Sequence, residues 1–185
     1  MYTITAYMEV SQRLWQLAIS ELIRSNTDPK HSYKTCVLTT VGIYPEARWV
    51  VKRGINSEDL SMLIYTDSRS CKVSQIEEDN RVSLLYYCPQ KKLQIRINAL
   101  AEILDEGELY DTHFKKAQNQ LKDYTTLLAP GTILYDTLNY NDEMHFFLVV
   151  IKPQKWDILE LGDERHFRAS YELENNKWIG TERVP

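Results

Sequence analysis

Between Leu93 and Leu104 the chain alternates: Leu93, Ile95 and Ile97 are apolar, and Gln94, Arg96 and Asn98 between them are polar. A period of two sends successive side chains to opposite faces, so the pattern predicts a strand with one face on a core. Other short runs rich in β-branched and aromatic residues join it: Thr35–Val41, Ala47–Arg53, Leu60–Tyr65, Arg81–Tyr87, Met144–Ile151, Trp156–Leu161, Arg165–Leu173 and Lys177–Arg183. Gly42, Pro45, Pro89, Pro153 and the pair Asn175-Asn176 punctuate them. The first three runs read as an antiparallel meander. Repeated short strands with few helices between them predict a closed or nearly closed β-barrel, which leaves no unpaired edge.

Three segments depart from that period. From Ser11 to Asn26, the residues Leu14, Trp15, Ala18, Ile19, Leu22 and Ile23 recur at threes and fours, a helical stripe that Asn26-Thr27-Asp28-Pro29 ends. Glu106 to Leu121 reads as a second, more charged helix. Residues 122–142 have little periodicity and read as a long loop or lid.

At 185 residues the chain is long enough for one domain with a substantial core and short for two, so a single domain over 1–185 is expected. With 43% hydrophobic and 26% charged residues, and no apolar run long enough to cross a bilayer, it reads as a soluble, cytoplasmic protein without a secretory leader. Cys36, Cys71 and Cys88 are odd in number and make no CxxC pair, which suits a reducing compartment. The four histidines are too scattered for a metal centre. A net charge of −4 argues against nucleic acid as a partner.

The most informative stretch is Leu63–Ile76, LIYTDSRSCKVSQI. An apolar run stops at Thr66-Asp67-Ser68-Arg69-Ser70, and Val73 and Ile76 then recur at helical spacing, with Ser68 or Ser70 as N-cap. A strand that turns directly into a helix presents unpaired N–H groups and a partial positive charge, a seat for a phosphate. Two hydroxyls and two cations, Ser68, Ser70, Arg69 and Lys72, crowd it. A doubly charged group held away from water needs cations from more than one element. Arg48, heading a neighbouring strand, is the second donor, since a guanidinium holds two phosphate oxygens at once. Each of these residues has an ordinary alternative as a solvated helix start or surface ion pair.

In order and spacing, Pro45-x-x-Arg48-x-Val50-Val51, Tyr65-Thr66-x-x-x-Ser70-x-Lys72-x-x-Gln75-Ile76, Asn80-Arg81-Val82-Ser83-Leu84-Leu85 and Gln94 resemble the pyridoxamine 5′-phosphate oxidase family. Trp178 and Arg183-Val184-Pro185 are similar to its C-terminal signature. The resemblance is tightest over residues 45–104. It implies a mainly β fold, a six-stranded antiparallel split barrel that binds FMN, as a homodimer with the flavin at the subunit interface. By position, Arg48, Lys72 and Ser70 would hold the FMN phosphate, and Tyr65 and Thr66 would line the phosphate and ribityl region. The backbone of Trp49, Val50 and Val51 would run beside the ring. Gln94, from the partner subunit, and Arg168 would reach the flavin.

The same resemblance marks departures. Cys71, which by position belongs with the cofactor-binding residues, stands where the family carries a further phosphate-binding arginine, and a thiol cannot replace that cation. Arg53 stands at a substrate-contacting lysine, Arg165-His166 echo a substrate-binding Arg-x-His pair, and Leu159 stands at a flavin-flanking tryptophan. Residues 108–120 offer Tyr110, His113 and Lys115 but no arginine for a substrate phosphate. The expectation is an FMN-dependent oxidoreductase with an altered substrate site. A non-catalytic flavin carrier or sensor is the alternative, and a barrel that has lost FMN is the third reading.

Overall fold

The computed structural model describes residues 3–185, with side chains described from residue 10 onward. Helix α1 (Thr3–Arg24) begins earlier than the apolar stripe indicates, and Leu14, Ala18 and Leu22, one turn apart, are fully buried. Trp15 packs against Trp156, Tyr171 and Trp178 with ring centroids 4.8 to 5.7 Å apart. This aromatic group fastens the helix to the C-terminal strands.

The strands are β1 (Thr35–Val41), β2 (Pro45–Ile55), β3 (Met62–Thr66), β4 (Arg81–Cys88), β5 (Leu93–Leu104), β6 (Phe147–Glu160), β7 (Phe167–Glu174) and β8 (Lys177–Arg183). They form one antiparallel sheet ordered β3-β2-β1-β4-β5-β6-β7-β8, and β3 also pairs with β6. That last pairing closes β1 to β6 into a six-stranded barrel, and β7 and β8 extend beyond it. The meander β1-β2-β3 is as expected, and Leu93, Ile95 and Ile97 point inward with no exposed surface.

The sequence divides Met144–Ile151 from Trp156–Leu161 at Pro153, whereas the structure runs one strand through both. Residues 147–151 of β6 pair with β3, and residues 155–160 pair with β7. Between them β5 slips register at Asn98/Ala99, which leaves Gln154 without a counterpart. Proline has no N–H to give to a ladder, so it is tolerated where pairing lapses at a bulge. Here the strand continues through the bulge instead of ending.

Helix α2 (Cys71–Glu78) follows β3 after a tight turn and buries Val73 and Ile76. Helix α3 (Glu108–Ala117) continues into a 3-10 segment, Gln118–Asp123. Around it a second apolar cluster gathers Ala117, Tyr124, Phe146 and Leu148. The following loop is irregular apart from a bridge between Thr126 and Tyr140. No helix among the described residues is long and apolar enough to cross a membrane.

Candidate functional site

β2 alternates along its length. Val50 and Lys52 turn into the barrel, and Trp49 and Val51 turn outward. Arg48, near the start of that strand, and the turn from β3 into α2 open on one cavity of about 320 Å³, lined by Arg48, Trp49, Val50, Val51, Arg53, Tyr65, Thr66, Ser70 and Lys72. The volume lies at the low end for small-molecule sites. Nine of the positions singled out from sequence therefore share one cavity.

Ser70 occupies the N-cap position of α2, but its hydroxyl makes no capping bond. It lies 3.0 Å from the Thr66 hydroxyl, and Lys72 Nζ donates to both oxygens at 3.0 Å. The hydroxyls and the ammonium thus face one point. Burial and the neighbouring Arg48 charge both lower the Lys72 pKa, burial more strongly. Two cations held close, with hydroxyls beside them, are stabilised by an anion. That arrangement fits a phosphate.

Arg69 does not join them. It grips Asp67 through two nitrogens, at 3.1 and 2.7 Å, and reaches the Thr126 carbonyl at 3.0 Å. Its charge is spent on tying the long loop to the turn. Cys71 is exposed at the first position of α2 and is not part of the cavity lining.

At the cavity's other end, the Arg53 guanidinium lies 4.7 Å above the Tyr65 ring and donates to Gln120 at 2.8 Å, and its buried Nε has no partner. Tyr65 bonds His113 Nδ1 at 2.6 Å and packs edge-on to Phe146. Burial raises the Tyr65 pKa and lowers that of His113. Asp67, whose carboxylate is paired with Arg69, completes the wall with Asp123, Tyr124 and Pro130. No sequence pattern marks Asp123, Tyr124 or Pro130, because loop residues without periodicity reach a site only through tertiary packing.

Gln94 and Arg168 lie elsewhere. Gln94 faces Leu159, which faces Arg168, so the three form one row across β5, β6 and β7. Arg168 is paired with Asp157 at 3.0 Å. With Arg165, His166 and Arg183 it lines a second cavity of about 450 Å³. Within one chain the predicted residues therefore fall into two groups on separate surfaces.

The sequence pattern of the pyridoxamine 5′-phosphate oxidase FMN-binding domain matches residues 12–105, about half of the chain and the part that carries the cavity's cations, Arg48, Arg53 and Lys72. The chain belongs to this family. Among curated proteins it is 24% identical, over 89% of its length and 82% of theirs, to a pyridoxine/pyridoxamine 5′-phosphate oxidase of Legionella pneumophila strain Lens. The protein of the same name from strain Paris is 25% identical over the same shares. Among solved structures, a pyridoxamine 5′-phosphate oxidase-related, FMN-binding protein of Nostoc punctiforme superposes with a TM-score of 0.74 at 21% identity, covering 92% of this chain and 97% of that one. PhzG of Burkholderia lata, solved with tetrahydrophenazine-1-carboxylic acid, gives 0.68 at 18% identity, covering 96% and 92%. These likenesses establish the split-barrel fold of the family.

Proposed function

We propose that this family member is an FMN-dependent oxidoreductase acting as a homodimer, with a substrate site different from that of pyridoxamine 5′-phosphate oxidase. One observation carries the cofactor reading: Lys72, Ser70, Thr66 and Arg48 converge in one cavity, where the Lys72 ammonium donates to two hydroxyls. When bound, FMN supplies the redox chemistry, and the protein binds, orients and tunes it. Lys72 and Arg48 hold the phosphate. Trp49, Val50, Val51 and Tyr124 offer the apolar wall that a planar ring needs.

Two features support a second copy of the chain. Gln94 and Arg168, matched to flavin contacts, lie off the cavity, so a partner subunit would have to bring them. Large apolar side chains also face outward on β2, β4 and β5, with Trp49 71% exposed and Val51, Leu85, Tyr87 and Leu100 at or above a third. A patch of that kind marks an interface. All three cysteines are free, which agrees with a cytoplasmic setting.

The altered substrate site is supported by α3. His113 is engaged by Tyr65, Tyr110 stacks on Phe114, and α3 contributes no arginine beside Arg53. One guanidinium suits a singly charged substrate group better than a phosphate. The same loss of phosphate ligands favours the second reading, a flavin carrier or sensor.

Purified protein should be yellow and retain FMN through gel filtration. Colourless protein that fails to take up added FMN would end the cofactor reading. Anaerobic reduction followed by candidate acceptors and amines separates an enzyme, which turns over, from a carrier, which reoxidises no faster than free FMN.

A further inference from the structure

Gln75 does not line the cavity, yet it holds a group that does. Its Oε1 accepts from the Thr40 hydroxyl at 2.5 Å and from Arg48 Nη2 at 3.2 Å. Arg48 Nη1 donates to the same Thr40 oxygen at 2.5 Å, which closes a ring of three bonds. Thr40 is fully buried, so the ring stands on a fixed base. Glu46 accepts from Nη2 at 3.0 Å from a half-exposed position, where an ion pair contributes little. A guanidinium has five N–H groups. These bonds occupy one on Nη1 and both on Nη2, leaving Nε and one Nη1 hydrogen for an anion.

The ring also depends on Gly42. A Cβ at that position would stand 2.9 Å from Gln75 Nε2 and 3.3 Å from the Tyr44 carbonyl oxygen, so any larger residue pushes the carboxamide out of place. Residues 40, 42, 48 and 75, from β1, the following turn, β2 and α2, thus converge on the orientation of one side chain.

We infer that Gln75 is a positioning residue for the cofactor phosphate: by fixing the plane of the Arg48 guanidinium it sets the preference for phosphorylated over unphosphorylated flavin. This rests on the FMN reading above. An arginine already held in its binding rotamer loses little side-chain entropy when the anion arrives, and one released from Gln75 must lose it then.

The test is the affinity of wild type, Gln75→Leu, Gln75→Glu and Gly42→Ala for FMN and for riboflavin, followed by quenching of flavin fluorescence. Gln75→Leu and Gly42→Ala should weaken FMN roughly tenfold and leave riboflavin unchanged within about twofold, since only the phosphate meets Arg48. Gln75→Glu, which sets a carboxylate against Arg48, should weaken FMN further and again spare riboflavin. Equal losses for both flavins, as a merely structural role predicts, would overturn the inference, as would unchanged FMN affinity in the variants. If Gln75→Leu fails to fold, the comparison of Gly42→Ala and Gln75→Glu with wild type decides. A wild type that binds FMN and riboflavin equally would instead refute the phosphate site itself.

Discussion

Lys72 Nζ donates to the buried Thr66 hydroxyl across 3.0 Å, and this contact joins the end of β3 to the first turn of α2. The ammonium is held by neutral oxygens beside another cation. Replacing Lys72 or Arg48 by Ala should therefore weaken FMN binding by about 2 to 5 kcal/mol, the range for truncating one partner of a desolvated charge pair. Titration calorimetry checks this, and wild-type affinity in both variants would refute the assignment.

The pH dependence of that affinity has a definite sign. Burial and Arg48 set the Lys72 pKa below its ordinary 10.5, and a bound phosphate would raise it again. FMN should bind most tightly while Lys72 is charged in the free protein, and more weakly as pH rises through that lowered value. Lys72→Met should abolish the lysine's contribution to the pH profile. An identical profile in the variant counts against Lys72 as the phosphate ligand.

Lys52 gives a separate prediction about stability. It is fully buried on β2, its Nζ held by the Leu22 carbonyl at 3.3 Å and Asn26 Oδ1 at 3.0 Å, and burial lowers its pKa to about 8. Between that value and 10.5 the unfolded chain binds a proton that the folded chain does not, so stability contributed by this site rises with pH across the window. Burial raises the Tyr33 and Tyr171 pKa values, so their contribution is present below about 10 and is lost above it. Comparing urea unfolding of wild type and Lys52→Met isolates the lysine: their difference should change between pH 8 and 10. A constant difference would contradict the assignment.

Tyr65→Phe should destabilise the fold by about 1 to 3 kcal/mol, because it leaves the His113 ring nitrogen buried without its 2.6 Å partner. The double variant with His113→Leu should recover part of that loss, since the orphaned group is then gone. Additive losses in denaturant melts would show that the pair is not coupled.

Leu85→Arg places a charge on the outward face of β4, opposite Val37 and Arg96. If this face joins two subunits, sedimentation should show monomers, and FMN affinity should fall because Gln94 and Arg168 no longer arrive from a partner. A monomeric wild type with full FMN affinity would exclude that arrangement.

Much of this was legible in the sequence because it is local. The period-two run from Leu93, the three-and-four spacing from Leu14 to Leu22, and the abrupt change at Thr66 follow from backbone geometry within a few residues. The ordered positions Arg48, Tyr65, Ser70 and Lys72 were readable because one hairpin and one turn bring them together. Pro153 misled, since a missing N–H signals lost pairing but does not say whether a strand ends or bulges.

By itself, then, the sequence determined the strands, the first helix and the cation-bearing turn, whose causes lie within one turn or one hairpin of chain. Only the tertiary structure decided that β6 serves both β3 and β7, that Arg69 is consumed by the long loop, and that Gln75 reaches Arg48 past Gly42. Those outcomes depend on which surfaces meet when the barrel closes. Groups far apart along the chain compete there for the same partners, and no local pattern records which one wins.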